Sequence, residues 1–324
     1  MKNSILKEKD TEPLMVSIRC LTYNHEKYIR DTLEGFVMQK TSFRFEAIVH
    51  DDASTDGTAN IIREYAEKYP DIIKPIYETE NQYSKHDGSL KRILDEHVVG
   101  KYVALCEGDD CWTDPNKLQK QVDFLEAHPD YSLCFHNAIE HWVDGSAPDR
   151  LIMGEDYSER EYMVEELYIN WFYATASFVF RRSVYDCKAY KKFQTKKGIA
   201  GDVPLMMSAT TVGKIYGFTD IMSVYNRHNM GMSMQNDFYL VILRQNMAIV
   251  EIIGGNIRRL WKQVKMKVVV KRAFLELHTK GNIALATDIV RIMCGKYPFS
   301  LLKMTCIVIF EHFKYRMRNR SVGN

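Results

Sequence analysis

The chain has 324 residues, 46% of them hydrophobic and 27% charged, which excludes disordered, collagen-like and disulfide-scaffold classes and leaves enough length to bury one large α/β core. Net charge is only +2, but residues 255–324 hold 15 Lys/Arg against 3 Asp/Glu, leaving 29 against 39 in residues 1–254. Such a basic tail on an acidic body suits an anionic surface, phospholipid or nucleic acid, or simply a solvated helical face.

Residues 1–12 lack the apolar stretch of a signal peptide and are expected to be a disordered start, with no export. Seven cysteines without a C-x-x-C pair read as reduced thiols in a cytoplasmic protein. Residues 15–22 (MVSIRCLT) read as a buried strand, followed by a polar turn at Tyr23-Asn24-His25 and a helix over 26–38 whose apolar residues recur at helical spacing. A second strand at 45–50 runs into Asp51-Asp52-Ala53-Ser54-Thr55-Asp56-Gly57, where Thr55 or Asp56 is placed to cap a helix over 59–69. A third strand at 72–77, a helix ending near His97 and a fourth strand at 102–106 complete a strand and helix alternation, the pattern of a parallel sheet covered on both faces.

Farther along, residues 115–128 read as a helix and 131–136 as a strand, while 144–162 are loop-like. Residues 173–180 alternate as a strand, 199–211 lead into a helix, and 214–218 and 223–228 look like two closing strands. After Asp237 the pattern is helical, with breaks near Gly254-Gly255, Gly281 and Pro298. The most apolar tail segment, 301–310, is broken by Lys303 and falls short of the roughly 20 residues of a spanning helix.

In an open parallel sheet ligands collect beyond the carboxyl ends of the strands. Three polar clusters stand there: Thr22-Tyr23-Asn24, Asp51-Asp52 and Glu107-Gly108-Asp109-Asp110. Massed acid repels itself unless a cation lies between the groups, and Mn²⁺ or Mg²⁺ would leave positions for the oxygens of a diphosphate. For Asp51-Asp52 a helix cap with an Asx-turn is an equal alternative, and a solvated turn is the alternative for Glu107 to Asp110.

The segments VSIRCLTYNHEKYIRDTLEGFVMQ, EAIVHDDASTDGTANIIREYA, GKYVALCEGDDCWTDPNKLQKQVDFLEAHP and GDVPLM resemble the family 2 inverting glycosyltransferases over about residues 15–235. The resemblance implies a GT-A, Rossmann-like, mostly parallel sheet flanked by helices, with a catalytic domain over 13–237 (nucleotide-binding half 13–112, acceptor half 113–237) and a basic helical extension over 238–324. It implies transfer of a sugar, with inversion, from a nucleotide-diphosphate sugar, UDP by default, to a hydroxyl of a glycan or lipid-linked acceptor in bacterial-type polysaccharide assembly. Asp52 then partners the donor base with Thr22, Tyr23 and Asn24; Asp109 is the metal ligand, beside Asp110 on the donor and Glu107 as a second metal candidate. Arg92, with Lys91 as rival, approaches the diphosphate. Arg227 and His228 sit on a segment that closes over the donor and runs on through Gly231-Met232-Ser233. Asp202 matches the family's base, although an aspartate there could equally cap the helix that Pro204 begins. His136 and Ser177 are weaker acceptor-side candidates.

The alternatives are a sugar-1-phosphate nucleotidyltransferase, for which the glycine-rich loop after the first strand is missing, and a non-catalytic nucleotide-sugar-binding paralogue. The basic tail is expected to meet no nucleic acid. It either lies on the inner face of the membrane, with Phe299, Leu302, Ile309 and Phe313 as its apolar stripe and Lys314, Arg316, Arg318 and Arg320 near headgroups, or packs on the domain or into a homodimer.

Overall fold

The run at 14–22 forms β1 (Leu14–Thr22), whose Val16, Ile18 and Cys20 alternate onto one face and pack with Ile29, Leu33 and Phe36 of α1 (Ile29–Val37). The intervening Ser17 and Arg19 therefore face the other way, as a period of two requires. The computed structural model describes residues 13–85, 87–228, 231, 238–271, 274, 283–294, 297, 302 and 305–306. The chain divides into two compact units: the described residues within Met1–Lys197 and Gly201–Gly231, and those within Gly198–Ala200 and Met232–Asn324.

The first unit alternates as its sequence pattern expects: β2 (Arg44–Asp51), α2 (Thr58–Lys68), β3 (Ile73–Tyr77), α3 (Ser89–His97) and β4 (Tyr102–Leu105). Strand order runs β3, β2, β1, β4, all parallel. The chain turns back between β2 and β4 on either side of β1, so the switch point of the sheet lies at the carboxyl ends of β1 and β4.

Beyond β4 the sheet becomes mixed. The short β5 (Cys111–Trp112) and α4 (Lys117–Ala127) lead to β6 (Tyr131–Trp142), which pairs parallel with β10 (Lys214–Arg227). The antiparallel β9 (Val179–Arg181) joins β4 to β6, while β7 (Arg150–Leu151) and β8 (Arg160–Tyr162) pair with β6 and β10. Between them lie α5 (Val164–Asn170), α6 (Lys188–Gln194) and α7 (Asp202–Ala209). The two closing strands read from sequence are one strand whose register shifts between Gly217 and Ser223. The expected strand at 173–180 is instead a 3₁₀ turn (Thr175–Ser177) followed by β9.

The second unit is helical where described: α8 (Phe238–Ile252), α9 (Gly255–Leu260) continuing through a π-turn at Trp261–Lys265, and α10 (Ile283–Cys294). Gly254 and Gly255, at φ 71° and 51°, separate α8 from α9, a backbone conformation that side chains resist. Of the expected apolar stripe, Leu302 is exposed; Phe299, Ile309, Phe313 and the four cations lie outside the described residues, as do Met232 and Ser233. Among the described residues no helix is long and apolar enough to cross a membrane.

Candidate active site

The turn after β1 is built on Asn24, which takes the left-handed conformation (φ 55°) that asparagine tolerates better than most residues. Its amide donates to Ser54 Oγ (2.8 Å) and its Oδ1 accepts from the Thr55 amide (2.8 Å), so the loops after β1 and β2 brace each other. The next residue, His25, starts α1 through its carbonyl, which accepts from the amides of Tyr28 and Ile29. These bonds hold the backbone from which its ring projects.

The loop between β4 and β5 approaches the same turn. Gly108 has no room for a side chain, because a Cβ would lie 2.5 Å from Thr22 Cβ and 3.1 Å from His25 Nδ1. Thr32 Oγ1 donates toward the carbonyls of Asp110 (2.7 Å) and Gly108 (3.1 Å). From the far side, the Asn226 amide donates to Asp110 Oδ1 (3.0 Å), and its Nδ2 donates to the Asp109 carbonyl (2.7 Å).

Held this way, Asp109 Oδ2 lies 3.0 Å from His228 Nε2 and 3.7 Å from His25 Nε2. Donor atoms of these three side chains all lie within 4.8 Å of one another, a group that could hold a metal ion. One carboxylate oxygen and two imidazole nitrogens suit a first-row divalent cation. Tyr28 stacks on the His228 ring at 4.8 Å and 20°. Burial opposes ionisation of Asp109, but the His228 hydrogen bond and the charges of His25 and His228 outweigh it and hold its carboxyl below the usual range. Burial lowers the pKa of His25, against the pull of Asp109.

Next to this group lies a second, half-buried one. Burial pushes the Glu107 carboxyl up to about 7, against the pull of Arg19 and with the charges of Asp109 and Asp202 adding to the rise. Asp202 opens α7, its carboxylate hydrogen-bonded by the backbone N–H groups of Val203 and of Asp202 itself, while Oδ1 is buried without a partner among the described residues. Burial raises its pKa. Arg19 Nε lies 3.8 Å from Asp95 Oδ1, and Tyr190 donates its hydroxyl to Asp95 Oδ2 at 2.8 Å. Lys91 Nζ sits 4.3 Å above the Tyr190 ring centroid, and burial lowers its pKa to about 8 against the pull of Asp95.

The other sequence candidates fall as follows. Thr22 is fully buried against Gly108, while Tyr23 is 43% exposed at the rim. Asp52 is buried at the end of β2, and its carboxylate accepts the amides of Gln82 (2.6 Å) and Tyr83 (3.0 Å), anchoring the turn that follows β3. Asp110, 2% exposed, braces β10, and burial with the nearby charge of Asp109 raises its pKa well above the carboxylate range.

Four further candidates have other partners in the structure. Arg92 is exposed and bonds its own turn at the Asp87 carbonyl, whereas Lys91 turns inward. Arg227 donates from Nε to Glu140 Oε1 (2.6 Å) and so faces β6, because successive residues alternate across the end of β10. His136 is fully buried with Nδ1 2.7 Å from the Asn137 carbonyl, since β6 lies in the middle of the sheet and both its faces are covered. Ser177 is equally buried, donating to the Ala174 carbonyl (2.6 Å) inside the 3₁₀ turn. Both side chains are enclosed by protein. Sequence reasoning passed over His25 and Arg19; the signals were a histidine inside the polar turn after β1, and an arginine within an otherwise apolar strand.

Residues 17–188, more than half of the chain, match the family model described as Glycosyl transferase family 2. The chain belongs to that family. An uncharacterised protein of Mycobacterium tuberculosis H37Rv is 39% identical over 216 residues, 67% of this chain and 60% of its own length. The family 2 chain thus spans about 60% of the length of the curated relatives it matches first. The Escherichia coli UDP-Glc:alpha-D-GlcNAc-diphosphoundecaprenol beta-1,3-glucosyltransferase WfaP is 31% identical over 112 residues, 35% of this chain and 41% of its own. Among solved structures, residues 1–349 of S. aureus TarS with UDP-GlcNAc superpose with a TM-score of 0.62 at 17% identity, covering 93% of this chain and 92% of that one. The fold is therefore of the GT-A type, a mixed sheet flanked by helices.

Proposed function

We propose that this family 2 chain transfers a sugar from a nucleoside-diphosphate sugar, with inversion and with a divalent cation, to a hydroxyl of a glycan or lipid-linked acceptor in polysaccharide assembly. The observation that carries the reading is the meeting of Asp109 with His25 and His228 at the switch point of the sheet, with the half-buried Glu107 and Asp202 nearby. Family membership supports the transfer reaction; the UDP-GlcNAc bound in TarS and the diphosphoundecaprenol acceptor in the name of WfaP support the donor and acceptor classes.

A bound cation supplies positive charge against the diphosphate as that group departs. Asp109, His228 and Glu107 are the residues placed to hold it or to tune its surroundings. Lys91 brings a second positive charge to the leaving side, and Tyr23 offers an exposed ring to the base. Asp202 is the candidate base: its carboxylate, one oxygen of which has no partner among the described residues, takes the proton of the acceptor hydroxyl as the new glycosidic bond forms.

The test is a panel of nucleotide-sugars with Mn²⁺, scored by release of nucleotide. Asp202→Asn is expected to lower kcat about 100- to 10,000-fold with little change in donor affinity. Because burial raises the Asp202 pKa, and the base acts only when ionised, the acid limb of kcat/KM is expected at a higher pH than for an ordinary aspartate. Full activity of Asp202→Asn, or no turnover of any donor by the wild type, overturns the reading.

A further inference from the structure

We propose that His25 is a ligand of the cation site, so that the chain offers two imidazoles and one carboxylate and selects borderline cations such as Mn²⁺ and Co²⁺ over Mg²⁺. The inference rests on the cation site proposed above and adds to it a ligand from the turn after β1.

Three observations carry it. Both histidines direct Nε2 at the same oxygen, Asp109 Oδ2, at 3.0 Å for His228 and 3.7 Å for His25. Bonds of about 2.1 Å to one first-row cation set neighbouring donors about 3 Å apart, so small side-chain rotations suffice. Second, the approach is built into the backbone: Gly108 is the one residue type that lets the Asp109 loop close onto Thr22 and His25 without collision. Third, the rings are held by packing, with His228 stacked on Tyr28 and edge-on to His25 at 6.1 Å. Each ligand thus comes from a different strand end, on scaffolding that fixes its direction.

Nitrogen ligands carry the selectivity. A site of oxygens alone accepts Mg²⁺ readily, whereas imidazole favours later first-row cations along the Irving–Williams order. A second imidazole widens that difference.

The experiment is direct binding of Mn²⁺, Co²⁺ and Mg²⁺ to the full chain without nucleotide, by calorimetry and by the visible spectrum of Co²⁺, for the wild type, Asp109→Asn, His25→Ala and His25→Gln. The expected result is a rise of at least tenfold in the Kd for Mn²⁺ and Co²⁺ in both His25 variants, an altered Co²⁺ spectrum, and less than a twofold change for Mg²⁺. Wild-type affinity in folded His25 variants overturns the proposal while Asp109→Asn still loses binding; wild-type affinity in Asp109→Asn overturns the cation site itself. Should the variants not fold, ring ¹⁵N spectra of the wild type titrated with Zn²⁺ decide: His25 Nε2 is expected to shift together with His228 Nε2, and an unmoved His25 resonance overturns the proposal.

Discussion

Adjacent in the chain, Lys91 and Arg92 sit on different faces of α3. Lys91 lies one turn before Leu94, the buried residue of that helix, and shares its inward face, while Arg92 is rotated away and stays in solvent. Replacing Lys91 by Ala is expected to weaken donor binding at least tenfold, and Arg92→Ala less than twofold, as read by calorimetric titration with the donor. A second residue-scale expectation concerns Ala53, held at φ 62° in the loop after β2. Left-handed backbone costs an alanine roughly 1–2 kcal/mol, and a glycine gives back about half of that through its freer unfolded state. Ala53→Gly is therefore expected to raise stability by up to about 1 kcal/mol, measured by denaturant unfolding.

Among the elements, α4 carries a lysine where an apolar residue would be expected. Lys117 is fully buried, with Nζ donating to Gln121 Oε1 at 2.8 Å and lying 4.1 Å above the Trp112 ring centroid. Burial lowers its pKa to about 7, against the pull of Cys106 and Cys134. Between that value and about 10.4, the pKa of an unfolded lysine, the unfolded chain binds a proton that the native chain does not, so this group makes stability rise with pH across the window. Below pH 7 both states carry the charge and the advantage is gone. Lys117→Met should therefore compare most favourably with wild type near pH 6 and lose ground steadily toward pH 10, a trend checked by thermal melts across that range.

The elements of residues 14–105 were legible because each carries one clear period: apolar runs for β1, β2 and β4, helical spacing for α1 and α2. Residues 173–180 misled because an apolar alternation is shared by a strand and by a buried 3₁₀ turn, and only the antiparallel entry of β9 between β4 and β6 separates them. The acidic strand ends were legible as well, since Asp52, Glu107 and Asp109 follow their strands directly. The burial of His136 was not legible, because a position along β6 does not say which neighbours cover it.

Across the whole molecule, the candidate cation site draws on residues 25, 109 and 228, so it exists only when most of the first unit is assembled. A ligand that binds native but not unfolded chain stabilises it by about 2.7 kcal/mol at a hundredfold excess over its Kd. Dialysis against a chelator is accordingly expected to lower the melting temperature of that unit, with Mn²⁺ restoring it; an unchanged melt in saturating Mn²⁺ would contradict the site. The cross-bracing of Asn24 against Ser54 and Thr55 gives the rim a further property. Because the same short turn grips the loop after β2 on one side and presents His25 on the other, a shift of that loop and a shift of the imidazole are mechanically linked.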